Sequence, residues 1–132
     1  MQFQDNGLSY RLNQQEFTAN VSGSTGTNET IFIPRSIKYK NQEYTVVRIS
    51  SASFKNNKNV KWVAFPENSE LISIEDDAFR SSTLERIVIP PHVQSIGAFA
   101  FSDCLSLTQI TISNSVRNIG SSTFSGCLSL TQ

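Results

Sequence analysis

Few side chains in this 132-residue chain could carry out catalysis or bind a metal. The one histidine, His92, follows two prolines in a predicted turn and has no second histidine to assist it, so a surface position is expected. The consecutive acids Glu75, Asp76 and Asp77 suggest either a cation site or, as is more common at the start of a helical turn, caps and dipole partners. Because no phosphate loop, nucleophile elbow or acid–base pair is present, the sequence predicts a protein that is not an enzyme and has no cofactor or metal.

The two cysteines, Cys104 and Cys127, begin two identical copies of the hexapeptide CLSLTQ, 23 residues apart. They lack the C-x-x-C spacing that zinc sites favour. One interpretation is a stacked pair of buried thiols at one repeat position. The other is a disulfide between neighbouring coils, since coils spaced about 4.7–4.9 Å apart lie near the lower end of bridgeable Cα distances.

The repeat extends well beyond the hexapeptide, because apolar residues around it recur at the same offset. A period between 20 and 50 residues indicates a solenoid, in which each unit buries its apolar face only by stacking on a neighbour. The matching pairs are Leu84 and Leu107, Ile87 and Ile110, Ile89 and Ile112, Val93 and Val116, Ile96 and Ile119, and Phe101 and Phe124.

Each unit reads as a strand of pattern L-x-x-I-x-I, a polar turn, a short V-x-x-I return strand and a helical turn. Because alternate strand residues face opposite sides, the isoleucines point into the core. Glycines 97 and 120 align with Ser50 and Glu75, so this position is not expected to demand glycine. Two positions after each phenylalanine, residues that tolerate a left-handed backbone are expected where the turn reverses. The predicted file of buried phenylalanines is Phe54, Phe79, Phe101 and Phe124. The residues two positions after them are Asn56, Ser81, Asp103 and Gly126.

The combined pattern, L-x-x-I-x-I-P-x-x-V-x-x-I-G-x-x-A/T-F-x-G/D-C, strongly resembles the leucine-rich repeats of the BspA type, found in surface proteins of bacteria and protist parasites. The resemblance implies a right-handed, β-rich leucine-rich-repeat solenoid. The same resemblance implies that the protein is at a cell surface or secreted. It also implies a non-catalytic recognition or adhesion module, whose partner would be a host matrix or cell-surface protein. The alternative is a structural repeat that extends or self-assembles a larger protein without a specific ligand.

The chain divides into two regions by pattern. Residues 1–30 lack the repeat and are expected to form an N-terminal β cap, although an independent binding domain is the alternative. Residues 31–132 are expected to form about four coils, starting near residues 31, 60, 84 and 107, with an incomplete repeat from residue 130. An inserted hairpin over residues 39–44 is predicted to turn at Asn41-Gln42. Lys plus Arg equals Asp plus Glu at 11 each, so nucleic acid is not an expected partner.

Four residues in or beside the strands form a candidate protein-binding surface. Trp62, Arg86 and Phe32 take outward positions, and Lys61 flanks the tryptophan. Exposed aromatic and arginine side chains are common anchors of protein interfaces. The alternative is that the cap or the inserted hairpin covers Trp62.

The last complete coil, residues 107–129, is expected to expose its apolar cross-section and an open strand edge. The residues expected to mediate homo-oligomerisation there are Ile110, Ile112, Phe124 and Leu130. Asn20 and Asn28 match the N-x-S/T glycosylation pattern.

Overall fold

The computed structural model describes residues 1–131, which are built from short β-strands joined by turns. Small residues, β-branched residues and regularly placed polar turns favour this architecture over helices. The strands are β1 (Gln2–Asp5), β2 (Leu8–Asn13), β3 (Thr18–Ser24), β4 (Thr30–Phe32), β5 (Ser36–Tyr39), β6 (Gln42–Ile49), β7 (Trp62–Ala64), β8 (Ser73–Ile74), β9 (Arg86–Val88), β10 (Ser95–Ile96), β11 (Gln109–Thr111) and β12 (Asn118–Ile119).

Two sheets run along the stack of coils. The four-stranded sheet has the order β11-β9-β7-β4, with every neighbour parallel. The eight-stranded sheet carries the return strands β6, β8, β10 and β12, also parallel, and continues through β3, β2 and β1. One apolar core fills the space between the sheets. The solenoid predicted from the repeat is therefore confirmed.

The N-terminal residues extend only the larger sheet. Strand β3 pairs in parallel with β6, and β2 and β1 follow it as an antiparallel meander. The smaller sheet stops at β4. The right-handed sense of winding and the capping role of residues 1–30 stay predictions.

The inserted hairpin is formed by β5 and β6, which pair antiparallel. Its turn lies at Lys40 and Asn41, whose φ angles are 51° and 66°. The predicted turn at Asn41-Gln42 was therefore wrong by one residue. Positive φ at both central positions is the requirement of a type I′ hairpin, and Asn41 meets it at low cost.

The predicted helical turns are wrong, because the described residues contain no helix. In the turn around Phe79, alternate N–H groups bond within the turn, as Ala78 to Glu75 O at 3.3 Å and Arg80 to Asp77 O at 3.1 Å. The N–H groups between them donate to the next coil, as Phe79 to Ala100 O at 2.7 Å. A helix would use all these donors internally, whereas this arrangement ties neighbouring coils together.

Residues with a left-handed backbone conformation allow successive N–H groups to point alternately into the turn and towards the next coil. Two such residues occur in each turn that contains a phenylalanine of the file. The predicted set two positions after the phenylalanine is confirmed, with φ between 58° and 78°. A second set, two positions before it, was not predicted and includes Phe99 at φ 60°. Left-handed phenylalanine or alanine is unusual, and its strain is held by the ladder between coils. The second set is Ala52, Asp77, Phe99 and Ser122.

The phenylalanine file lies along the axis of the stack. The ring centroids of successive members are 5.0, 5.3 and 5.8 Å apart and the rings are within 7° of parallel. Phe54, Phe79 and Phe101 are buried, and Phe124 is half-buried at the end of the file. The predicted file is therefore confirmed for its first three members.

The expectation that this repeat position does not demand glycine is wrong for Gly97 and Gly120, although Ser50 and Glu75 occupy the same position in earlier coils. A Cβ on Gly97 would lie 2.4 Å from the backbone nitrogen of Asp76, and one on Gly120 would lie 2.3 Å from that of Ala98. Both clashes are with the preceding coil. In each case the two neighbouring coils can approach so closely only because glycine has no side chain.

Candidate functional site

The outward residues of the four-stranded sheet form two columns, and the pairing of the strands shows their register. Trp62 pairs with Arg86 and Arg86 with Gln109. Phe32 pairs with Ala64, in the next column. Their strands alternate exposed, buried, exposed, so these side chains face solvent while the residue between them enters the core.

Trp62 is 44% exposed and Phe32 54% exposed. The alternative in which the N-terminal segment or the hairpin covers Trp62 is therefore wrong. The reason lies in topology, because both segments attach to the eight-stranded sheet and leave the outer face of the smaller sheet open.

The structure brings Arg86 and Trp62 into direct contact. The guanidinium carbon of Arg86 lies 5.2 Å from the centroid of the Trp62 ring, within cation–π range. Lys61 instead forms an ion pair with Glu29, with Nζ 3.7 Å from Oε2. Arg86 has no ion-pair partner among residues 1–131. Its positive charge is thus held over the ring and is not neutralised by a carboxylate of the described residues.

A groove of about 590 Å³ follows this face. Its floor includes Trp62, Ala64, Arg86 and Val88, and its lining continues into residues 65–67 after β7 and Pro90-Pro91 after β9. Val88 is 64% exposed. The sequence predicted the tryptophan and the arginine on this face. It did not predict that the loops after β7 and β9 complete the lining, because nothing in the repeat pattern places those loops beside the strands.

The end of the stack formed by β11 and β12 is partly apolar. Ile112 is 37% exposed, Ile119 47% and Leu128 84%, while Phe124 and Leu130 are half-buried against the core. Ile110 is 8% exposed, so the expectation that it is presented at this end is wrong. Ile110 belongs to the buried core, against which Leu130 packs. Leu128 was missed, because it stands outside the strand pattern.

The same end carries backbone donors that face along the axis. In each earlier coil, alternate turn N–H groups donate to the following coil, as Phe101 does to Thr123 O at 3.0 Å. The equivalent N–H groups of Ser122, Phe124 and Gly126 have no backbone partner in the described part of the chain. They form an open row of donors.

The cysteines are free thiols held in corresponding environments. Cys104 Sγ donates to Phe79 O at 3.0 Å, and Cys127 Sγ donates to Phe101 O at 2.9 Å. Of the two interpretations, the structure shows the free thiols, with Cys104 buried as predicted and Cys127 only half-buried. Burial raises the pKa of Cys104 to about 11 and also raises the pKa of Cys127. Cys104 is therefore protonated at neutral pH and a poor nucleophile.

The three consecutive acids are each engaged separately. Glu75 Oε2 accepts from Ser73 Oγ at 2.5 Å, and Asp77 pairs with Arg80 at 3.2 Å. Asp76 Oδ1 accepts the N–H of Ala98 at 2.8 Å, so it caps the turn of the next coil rather than its own. His92 is exposed. Within residues 1–131, no group of three or more His, Cys, Asp or Glu side chains is arranged to hold a metal.

The two glycosylation patterns lie in different surroundings. Asn28 is exposed in the loop before β4. Asn20 is half-buried in β3, an interior strand of its sheet, and its Oδ1 is buried without a hydrogen-bond partner among the described residues. Of the two, Asn28 offers space for a glycan.

Parallel strands stacked on one face, short return strands opposite and a phenylalanine file between them define a leucine-rich-repeat solenoid. The BspA type leucine-rich repeat region matches residues 25–132 in six copies. The chain belongs to this family, whose members are generally non-catalytic repeat scaffolds that mediate protein interactions.

Solved structures share the fold. A leucine-rich repeat protein from Bacteroides capillosus is 25% identical with a TM-score of 0.80, over 89% of this chain and 86% of that protein. The T. pallidum leucine-rich repeat protein is 22% identical with a TM-score of 0.67, over 98% of this chain and 69% of that one. The pneumococcal vaccine antigen PcpA is 21% identical with a TM-score of 0.61, over 96% of this chain and 47% of that protein. No protein of curated function matches the chain. The described residues include no helix that could cross a membrane.

Proposed function

We propose that this chain is a recognition module that binds a host matrix or cell-surface protein through the outer face of its four-stranded sheet. The observation that carries the proposal is the exposed pair of Trp62 and Arg86 above an apolar groove. Residence at a cell surface or outside the cell is part of the proposal, and the resemblance to BspA-type surface proteins supports it.

The energetics of protein interfaces favour this face. Tryptophan and arginine are enriched among the few residues that supply most of the binding free energy. A stacked arginine loses little conformational freedom when it meets a partner, because the ring already restrains it. Rigid parallel strands also hold both side chains in place before binding, which lowers the entropy lost on association.

Replacing Trp62 by alanine tests the proposal. Beads coated with the wild-type chain are expected to attach to films of decellularised mammalian matrix. Trp62→Ala is expected to lower apparent affinity by more than about tenfold, because a hot-spot truncation removes at least about 2 kcal/mol. Bead counts over a series of coating densities measure the change.

Phe17→Ala is the matched control, because Phe17 is 45% exposed but lies in the turn between β2 and β3. It is expected to attach like the wild type. Equal attachment by wild-type and uncoated beads would contradict recognition of matrix. Unchanged attachment by a folded Trp62→Ala protein would favour the structural-repeat alternative.

A second candidate function is assembly through the end of the stack formed by β11 and β12. The exposed apolar side chains Ile112, Ile119 and Leu128 and the open donors of the last turn favour it. Each apolar side chain of this size contributes about 1.5–3 kcal/mol when fully buried, which offsets part of the entropy of association.

Light scattering over a concentration series tests this assembly. The mass of the wild-type chain is expected to rise with concentration in the micromolar range. Ile119→Asn is expected to lower that rise, because a polar amide replaces an exposed apolar group. Leu105→Asn, at a site 57% exposed in the preceding coil, is expected to behave like the wild type. A constant monomeric mass at high micromolar concentration would contradict assembly.

A further inference from the structure

The free edge of β4 is an open position in the smaller sheet. The larger sheet continues past the first coil with β3, β2 and β1, whereas the smaller sheet has no strand beyond β4. Alternate backbone groups of β4 already face β7, since Glu29 O accepts from Trp62 N–H at 3.1 Å and Ile33 N–H donates to Ala64 O at 2.9 Å. The N–H and C=O groups of Thr30 and Phe32 therefore face the opposite side, where no strand among residues 1–131 pairs with them.

A slot of about 390 Å³ lies along this edge. Thr30 and Phe32 line one side of it. The remaining lining comes from the β1–β2 hairpin and the start of β5, namely Asp5, Asn6, Tyr10, Pro34, Ser36 and Ile37. The hairpin turn is held in place, because Gly7 O accepts from Thr25 N–H at 2.9 Å. The slot is thus preformed and bordered by fixed elements.

Tyr10 and Asp5 give the slot a polar end. Tyr10 is 1% exposed and lines the slot. Burial, and then the nearby Asp5 carboxylate, raise the pKa of Tyr10 above its ordinary value, so the hydroxyl is a neutral donor and acceptor. Asp5 is the one charged residue in the lining and has no ion-pair partner among residues 1–131.

We propose that the edge of β4 accepts an extended segment of a second polypeptide, which pairs through its backbone with Thr30 and Phe32 and places a lysine or arginine side chain against Asp5. Backbone pairing at an exposed sheet edge is an established way to bind peptides, and side chains in flanking pockets supply the selectivity. Here Asp5 selects a basic residue by charge, and the Tyr10 hydroxyl supplies a donor or acceptor to the bound segment. The exposed ring of Phe32 supplies an apolar surface for a neighbouring side chain of the segment.

Amide hydrogen exchange followed by NMR tests this pairing. In the free protein the N–H groups of Thr30 and Phe32 are expected to exchange faster than that of Ile33, which is hydrogen-bonded. The probe is the blocked pentapeptide acetyl-Thr-Val-Lys-Val-Thr-amide, chosen because β-branched residues favour the extended state. At saturation it is expected to slow exchange at Thr30 and Phe32 by at least about tenfold, the effect of roughly one net hydrogen bond.

Three comparisons separate backbone pairing from non-specific contact. The same peptide with its central lysine replaced by glutamate is expected to bind up to about fivefold more weakly, and Asp5→Asn is expected to abolish this difference. Tyr10→Phe is expected to weaken both peptides about three- to tenfold. A lysine peptide with methylated backbone nitrogens is expected not to protect either amide.

Equal binding by the methylated and unmethylated peptides would overturn the proposal. Absence of protection at Thr30 and Phe32 with millimolar lysine peptide would also overturn it. Neither result depends on attachment through Trp62, so failure of the slot and failure of the strand-face proposal are distinguished by separate measurements.

Discussion

Phe101→Ala is expected to lower the free energy of unfolding by about 3–5 kcal/mol. The side chain is fully buried, and its ring is stacked between Phe79 at 5.3 Å and Phe124 at 5.8 Å. Removing it takes contacts from both neighbours and leaves a cavity inside the stack. The surrounding turns cannot collapse into that cavity without breaking the ladder of hydrogen bonds that joins the coils. Urea denaturation followed by circular dichroism measures the loss.

Phe124→Ala is the matched control for this substitution. Phe124 occupies the same position in the next coil but is half-buried and has only Phe101 as a stacked neighbour among the described rings. Its loss is expected to be about 1–2 kcal/mol, in proportion to the smaller buried area. A loss below about 1 kcal/mol for Phe101→Ala would contradict the continuous file of rings as the centre of the fold.

Gly97→Ala is expected to be the next most destabilising change, at about 2–3 kcal/mol. The added methyl group would lie 2.4 Å from Asp76 N and 2.6 Å from Glu75 C, so the backbone of one coil must move away from the other. This movement opposes two hydrogen bonds, Gly97 N–H to Ile74 O at 2.8 Å and Ala98 N–H to Asp76 Oδ1 at 2.8 Å. Thermal and urea unfolding would both report the change.

Gly26→Ala supplies the comparison, because a Cβ at Gly26 meets nothing within 4 Å. That variant is expected to change stability by less than about 0.5 kcal/mol. If Gly97→Ala were as stable as Gly26→Ala, the close approach of the coils at this corner would be wrong. The pair therefore separates tight coil packing from the general effect of adding a methyl group to glycine.

The sequence by itself determined the repeat and the direction in which its side chains point. The offset of 23 residues fixed which isoleucines and leucines share a core position, and the structure pairs Ile110 with Ile87 and Ile119 with Ile96 as that offset requires. Period-two alternation placed Trp62 and Arg86 on the outer face. These features are local or repeat identically, so one chain contains all the information needed to find them.

Contacts between segments that are distant in sequence were decided only by the tertiary structure. The expected helical turns are non-helical, because alternate N–H groups gain partners on the next coil, and no single coil reveals that exchange. Gly97 looked replaceable because Ser50 and Glu75 align with it, although the space available depends on the preceding coil. Likewise, the slot beside β4 exists because the N-terminal strands extend one sheet and not the other. The sequence pattern specifies which face of a strand a side chain occupies. The distance between neighbouring coils depends on all the residues packed between and around them.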